Sequence, residues 1–372
     1  ESVASGVPRI DFLNNADGHL LLEPSRTNNI LYSQSAISGW TASSINRLDN
    51  QAIAPDGTNT ASTIESSSDL SFGSIRKDIS VSPNSTYTIS LFVKKETSET
   101  NYGGLAFDFT GGTRKLAYII VDAVNGTAIN STSSSLSATT TVTDFGNYWR
   151  ISATTTDNGS NSDCLLAYYA TLATAPSGSA SLGAGSVRTV WGFQLEIGAT
   201  YATSYIPTLS AAVTRGADMS GTTDYFGAQT FAGDFAFFVD LLPMEGNTAI
   251  SDAMILGGGD YNGGGNFQSY FRFASGNIVL KGVAEALVIV RSYTMTANQQ
   301  YKILVTRTGT TVKIFANGAQ VGASATSSVS VILRSLGWSY IQASYNYDGR
   351  INQVLLMPSG LTDAQAIELT TI

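Results

Sequence analysis

The sequence predicts an all-β protein built as two antiparallel β-sandwiches with a short hairpin segment ahead of them. Three observations predict it. Charged residues make up only 13% of the 372 residues while hydrophobic residues reach 43%, so the charge is about half the ~25% of an ordinary globular chain. What replaces it is small and polar, with 36 Gly, and the 17 Tyr, 16 Phe and 4 Trp supply core material suited to pleated sheet. Apolar residues then recur at alternate positions in short runs between Gly, Asn, Asp and Ser clusters, and only the last dozen residues show a helical period.

Residues 1–30 form the first segment. Ile10 and Phe12 alternate with polar neighbours, Asp17-Gly18 is a turn signal, and 19–22 resumes an apolar run that Glu23-Pro24 ends. A two-stranded hairpin alone is marginal, so this segment is expected to dock on something. Residues 31–208 form the second segment. Runs at 60–64, 74–79, 87–93, 104–109, 115–121, 137–142, 148–154, 164–171 and 187–195 have strand length, and Pro55-Asp56-Gly57, Pro83-Asn84, Gly111-Gly112 and Asn125-Gly126 punctuate them. Strands at that spacing predict a sandwich or jelly roll. Residues 209–230 read as a linker, with Arg215-Gly216 and Ser220-Gly221 in irregular sequence. Residues 231–372 carry a second series at 235–242, 253–256, 269–273, 277–282, 286–290, 301–307, 311–316, 329–333, 341–344 and 349–357, with Asn317-Gly318 as a hairpin turn. The spacing predicts one helix, over 361–369, with Thr362 as its cap and Leu361, Ala366 and Leu369 facing a sheet.

Charge and cysteine content narrow the function. Twenty Lys and Arg against 28 Asp and Glu give a net charge of −8, which disfavours binding to nucleic acid or to an anionic membrane surface. No apolar run approaches the ~18–20 residues of a membrane-spanning helix. Cys164 is the single cysteine, which leaves no intrachain disulfide and no cysteine-based zinc site. The chain begins at Glu1, as expected of a fragment or a processed product.

Several strings carry family character. Residues 8–28 (PRIDF…HLLLEPSRTN), Ala54-Pro55-Asp56-Gly57, Tyr87-Thr88-Ile89-Ser90, Trp191-Gly192-Phe193-Gln194-Leu195-Glu196 and Thr203-Ser204-Tyr205-Ile206-Pro207-Thr208 together resemble a module of bacteriophage fibre, spike and head-decoration proteins. That module is similar to carbohydrate-binding jelly rolls. The second half, through residues 302–307, 312–318, 348–351 and the terminal helix, resembles concanavalin A-like (laminin G-like) sandwiches. The resemblance implies a jelly roll followed by a concanavalin A-like domain, exposure on a virion, other virion proteins as partners, adhesion to host or environmental glycans, and a homo-oligomer, commonly a trimer.

The inventory of reactive groups points away from catalysis. His19 is the only imidazole, and in a hairpin far along the chain from Cys164 it reads as structural. Glycosidic cleavage needs two carboxylates at a set separation. Asp122, Glu196, Asp240 and Asp348 occur singly along their strands, and Glu96 and Glu99 read as solvated carboxylates of a Lys-Glu-Thr-Ser-Glu loop. No cofactor motif is present, since the glycines of 257–265 lack the Lys-Ser/Thr that completes a phosphate loop. Calcium is the one cation the loops invite, with Asp260 and Asp348 as candidate ligands in Gly- and Asn-rich surroundings. Sugars pack their C–H faces on flat rings while amides bond their hydroxyls. The loop residues suited to that are Tyr102, Tyr261, Asn262, Trp338, Tyr345 and Tyr347, whereas Trp40, Trp149 and Trp191 sit in strand patterns and read as core. The function expected is non-enzymatic attachment of a virion structural protein to surface glycans. The alternatives are a polysaccharide-degrading tailspike-type enzyme and a capsid decoration that binds no sugar.

Overall fold

Alternation decides which face of each strand turns inward, and in the computed structural model the regular structure of the described residues is almost wholly antiparallel strand. The structure describes residues 9–13, 16–66, 72–181, 185–218, 227, 229–244, 252–258, 269–336 and 347–372. Two compact units are present, one spanning Arg26–Arg215 and the other combining Ser2–Ser25 with Gly216–Ile372.

The first unit is a sandwich of two six-stranded sheets. One runs Thr127–Asn130, Lys115–Asp122, Tyr102–Thr110, Asp163–Ala173, Ser74–Ser80, Thr41–Ser43, and the other Thr139–Phe145, Tyr148–Thr156, Thr86–Lys94, Val187–Ile197, Ala61–Ser66, Ile45–Ala52. Ile89, Leu91 and Val93 from one sheet meet Leu105, Phe107, Phe109, Ile119 and Leu166 from the other in a single core, each contributing about 1.5–3 kcal/mol by burial. Every one of the nine predicted runs falls on a strand. Ile45–Ala52 and Thr127–Asn130 carry no apolar run because they are sheet edges, and Asn50 at φ 60° marks the bulge in Ile45–Ala52.

The family-like strings of this unit meet in one buried clasp. The Asn28 side-chain amide donates to the Phe193 and Ile206 carbonyls at 3.1 and 2.8 Å and its oxygen accepts from the Ile30 and Leu195 amides. Gln194 accepts from the Ile206 amide at 2.7 Å, and Glu196 accepts from the Thr203 hydroxyl at 2.5 Å and the Thr203 amide at 3.0 Å. Residues 203–208 have no ladder partner, so these side chains take the place of a neighbouring strand in satisfying their backbone.

The second unit packs an eight-stranded sheet on a five-stranded one. The larger runs Arg9–Asp11, His19–Leu22, Gly349–Met357, Phe235–Pro243, Tyr301–Thr308, Thr311–Ala316, Ala319–Gln320, with Ala325–Thr326 also on Thr311–Ala316; the smaller runs Leu287–Ser292, Asn277–Lys281, Ser269–Ala274, Asp252–Gly258, Ser335–Leu336. Phe235 and Phe237 stack at 4.3 Å in its core. Asn317 and Gly318, at φ 47° and 80°, make the two-residue turn that the Asn-Gly pair predicts. The predicted strand at 341–344 lies outside the described residues.

The N-terminal hairpin packs within the second unit. It closes the open edge of Gly349–Met357, pairing Leu20 with Ile351 and Leu22 with Gly349. Arg9 bonds Glu23 and Asp218 at 2.5 Å, and Arg350 bonds Asp11 at 2.6 Å. An unpaired strand edge within the same chain is the nearest docking surface for a hairpin that cannot stand alone. The C-terminal helix Asp363–Thr370 forms as predicted, with a reciprocal Thr362/Gln365 capping box, and it buries Ala366 on Ala236, Phe238, Leu304 and Phe315 of the larger sheet.

Candidate functional site

The loop residues singled out from sequence are only partly placed. Asp260, Tyr261, Asn262, Trp338 and Tyr345 lie outside the described residues. Tyr347 is a correction: its side chain is 1% exposed in the core of the second unit, and its hydroxyl donates to the Arg350 carbonyl at 3.3 Å. Burial accordingly raises its pKa well above the ordinary tyrosine value. A ring so placed offers no face to a sugar. The cause is local, because Tyr347 enters the strand Gly349–Met357 and the bare Cα of Gly349 leaves room for its hydroxyl. Asp348 is half-buried with its carbonyl accepting from the Met244 amide. Among the described residues no three His, Cys, Asp or Glu side chains group as a metal site.

His19 is tied into structure. Its Nδ1 meets the Asn352 side-chain oxygen and its Nε2 the Leu13 carbonyl at 3.1 Å, while Asn352 and Gln300 both donate to Asp240. The network fastens the hairpin to the last strand. Glu196 is spent in the clasp, and Asp122 accepts from the Val124 and Asn125 amides in a turn.

Tyr102 leads to a polar and aromatic surface on one sheet of the first unit. On Tyr102–Thr110 the residues Leu105, Phe107 and Phe109 point into the core, so Tyr102, Gly104, Ala106 and Asp108 face outward. The same parity turns Leu116, Tyr118 and Ile120 outward on the next strand, Leu165, Ala167 and Tyr169 on Asp163–Ala173, and Ser74, Arg76 and Asp78 on Ser74–Ser80. Register aligns them in rows. Tyr118, Ala106, Ala167 and Arg76 form one row, Leu116, Asp108, Leu165 and Asp78 the next, and Ile120, Gly104, Tyr169 and Ser74 the third.

The rings of Tyr118 and Tyr169 meet nearly at right angles at 6.0 Å, and Phe72 abuts Tyr169 at 6.1 Å. Tyr102, Phe72 and Tyr118 remain half-buried around a small apolar floor of Ala106, Ala167 and Leu172. Arg114 grips Asp108 with two bonds of 2.7 Å, which raises the arginine pKa, and Arg76 donates through Nε to Ser74 at 2.8 Å. Burial pushes the Tyr169 hydroxyl pKa up. Half-exposed rings beside fixed donors and acceptors can hold a hydroxyl-rich ring compound by stacking and hydrogen bonding.

Sequence reasoning found Tyr102 and missed Tyr118, Tyr169, Arg76, Asp108 and Arg114. The signal was available in part. Lys115–Asp122 and Asp163–Ala173 place tyrosine where an outward residue is usually small and polar, but their pairing across sequence-distant strands is visible only in the register.

No family model matches the sequence, and no curated protein matches it. Solved structures similar to it include a mutant of Trypanosoma rangeli sialidase displaying trans-sialidase activity (12% identity, 38% of this chain and 24% of that one, TM-score 0.29). Others are domains LG4-5 of the mouse laminin α1 chain (9%, 97% and 96%, 0.24) and Trypanosoma rangeli sialidase in complex with sialic acid (11%, 79% and 52%, 0.30). The chain spans about a quarter of the first of these and about half of the last.

Proposed function

We propose that the chain is a non-enzymatic attachment protein that binds glycans on the outer face of its first sandwich. The observation that carries this reading is the row of Tyr118 and Arg76 flanked by Asp108 with Arg114 and by Tyr169 with Tyr102. A pyranose ring packs on a half-exposed tyrosine while the carboxylate accepts from hydroxyls and the guanidinium donates to ring or hydroxyl oxygens. Repeated copies in a homo-oligomer turn shallow sites into firm attachment. A place on a virion surface, as fibre, spike or head decoration beside other virion proteins, rests on the resemblance of the strings at 8–28 and 191–208. Attachment rather than catalysis is favoured because His19, Glu196 and Asp122 are engaged in holding backbone and side chains in place.

The test is a glycan array probed with the assembled protein and with Tyr118→Ala. Binding is expected for the parent, with about a tenfold loss in the variant, the scale of one aromatic contact amplified by several copies. A blank array at high density refutes glycan attachment and favours a decoration role. New reducing ends released from a polysaccharide, and abolished by replacing one carboxylate, would make it an enzyme.

A further inference from the structure

The loop 95–101 crosses from one sheet of the first sandwich to the other and delivers the chain to Tyr102. Its Glu99 is not the solvated carboxylate its sequence suggests, since the side chain is 1% exposed. Neither Glu99 oxygen makes a hydrogen bond of ordinary geometry, the Ala123 amide being the one backbone donor that acts on the carboxylate, and two further polar atoms in the same interior are orphaned, Arg188 Nε and the hydroxyl of Tyr168. Arg188 spans the loop, its Nη1 3.6 Å from Glu99 and its Nη2 bonded to the Asn101 carbonyl. Gly103 closes the cluster from the next strand, where a Cβ would lie 3.0 Å from the Tyr168 hydroxyl and 3.3 Å from Arg188 Nε. The loop is otherwise pinned by the Lys95 amide on Asn147 and the Glu96 amide on Ala123.

We propose that Glu99 is the proton-operated catch of this loop: protonated, it lets the loop close over Arg188 and Tyr168, and ionised, it drives the loop open and releases the Tyr102 end of the outer face. The charged groups around it set the direction. Arg188, from Val187–Ile197, favours the carboxylate; Asp122, at the end of Lys115–Asp122, and Glu96, in the loop itself, oppose it; Tyr168, from Asp163–Ala173, contributes no charge. Burial is the largest influence, and the balance raises Glu99 from 4.5 to about 7. In the closed site the carboxylate has only Arg188 at 3.6 Å and the Ala123 amide, short of the two or three close donors that would hold it charged there. Opening restores water to it and, by breaking the Arg188–Asn101 bond, frees the backbone one residue before Tyr102.

The linkage fixes sign and size. Where the open form is ionised and the closed form still protonated, each pH unit shifts the equilibrium tenfold toward opening. From 4.5 to about 7 that amounts to at most about 300-fold, with a plateau above. The effect on glycan affinity rests on the attachment reading, whereas the catch is read without any glycan, so the two fail separately.

The experiment is amide hydrogen exchange of residues 95–102 from pH 5 to 8.5, expressed as protection relative to the intrinsic rate, in the parent chain and in Glu99→Gln. Protection is expected to fall as pH rises to about 7 and to level off above it in the parent, and to stay high and flat in the variant. Flat protection in the parent, or a variant that tracks it, overturns the proposal. A carbon-13 titration of the Glu99 carboxyl in the unmutated chain decides the matter even where the variant folds poorly, and a midpoint below 5 overturns it.

Discussion

Replacing Arg307 by methionine sets two large effects against each other in the second unit. Arg307 is 1% exposed, its guanidinium lying 4.7 Å from the centre of the Phe235 ring. It donates to the Gly233 carbonyl through Nε at 2.7 Å and again through Nη2, to Val329 through Nη1 at 2.6 Å, and to Phe231 at 3.4 Å. The nearby acid, Asp234, acts on it only through space. Methionine keeps the stem on Phe235 and strips three carbonyls of a charge-assisted donor, each loss amounting to about 1–3 kcal/mol when the carbonyl stays dry. Opposing this, a desolvated cation is removed, which by itself stabilises by several kcal/mol. Two considerations decide. The Phe231 bond is long and weak, while Gly233 and Val329 hold Arg307 where the loops leave the sandwich, in part-buried positions that water only partly re-solvates. The expected outcome is a net loss of about 2 kcal/mol, read as a roughly thirtyfold fall in amide protection along Tyr301–Thr308. Arg307→Lys, with donors for one or two carbonyls, is expected between the two. Protection unchanged or increased in Arg307→Met would show that desolvation of the guanidinium outweighs its carbonyl bonds.

Two further predictions are simpler. Thr362→Ala removes the hydroxyl that accepts from the Gln365 amide and leaves the other half of the capping box, the Thr362 backbone amide on the Gln365 side chain, in place; it is expected to lower the stability of the helix by about 1 kcal/mol, measured as faster exchange of the Gln365 and Ala366 amides with the strand beneath unaffected. Cys164 is fully buried and its pKa is driven far up by burial, so a thiol reagent at pH 8 should label it only after denaturation; rapid labelling of the folded protein would contradict the packing of the Asp163–Ala173 strand.

Much of the fold was legible because sheet writes itself into sequence at period two. The nine runs of the first unit, the Asn317-Gly318 turn and the Thr362-capped helix are local patterns, and each forms where its pattern lies. Edge strands such as Ile45–Ala52 escaped, since a strand with solvent along one side needs little apolar sequence. The candidate site was far less legible. Tyr102 was visible beside its glycines, but Tyr118, Tyr169, Arg76 and Asp108 come from four strands and become neighbours through register alone.

Burial is the property the sequence could not supply. Tyr347 and Glu99 both stand among Gly, Asn, Ser and Thr and read as exposed loop residues, yet one fills the core of its unit and the other lies beneath a loop against Arg188. The sequence by itself determined an all-β chain of two units, poor in imidazole and in paired carboxylates, because composition and alternation are local quantities. Only the tertiary structure decided which polar groups are wet, which carboxylate is held near neutrality and which tyrosines share a face, because those depend on residues far apart in the chain brought within a few ångströms.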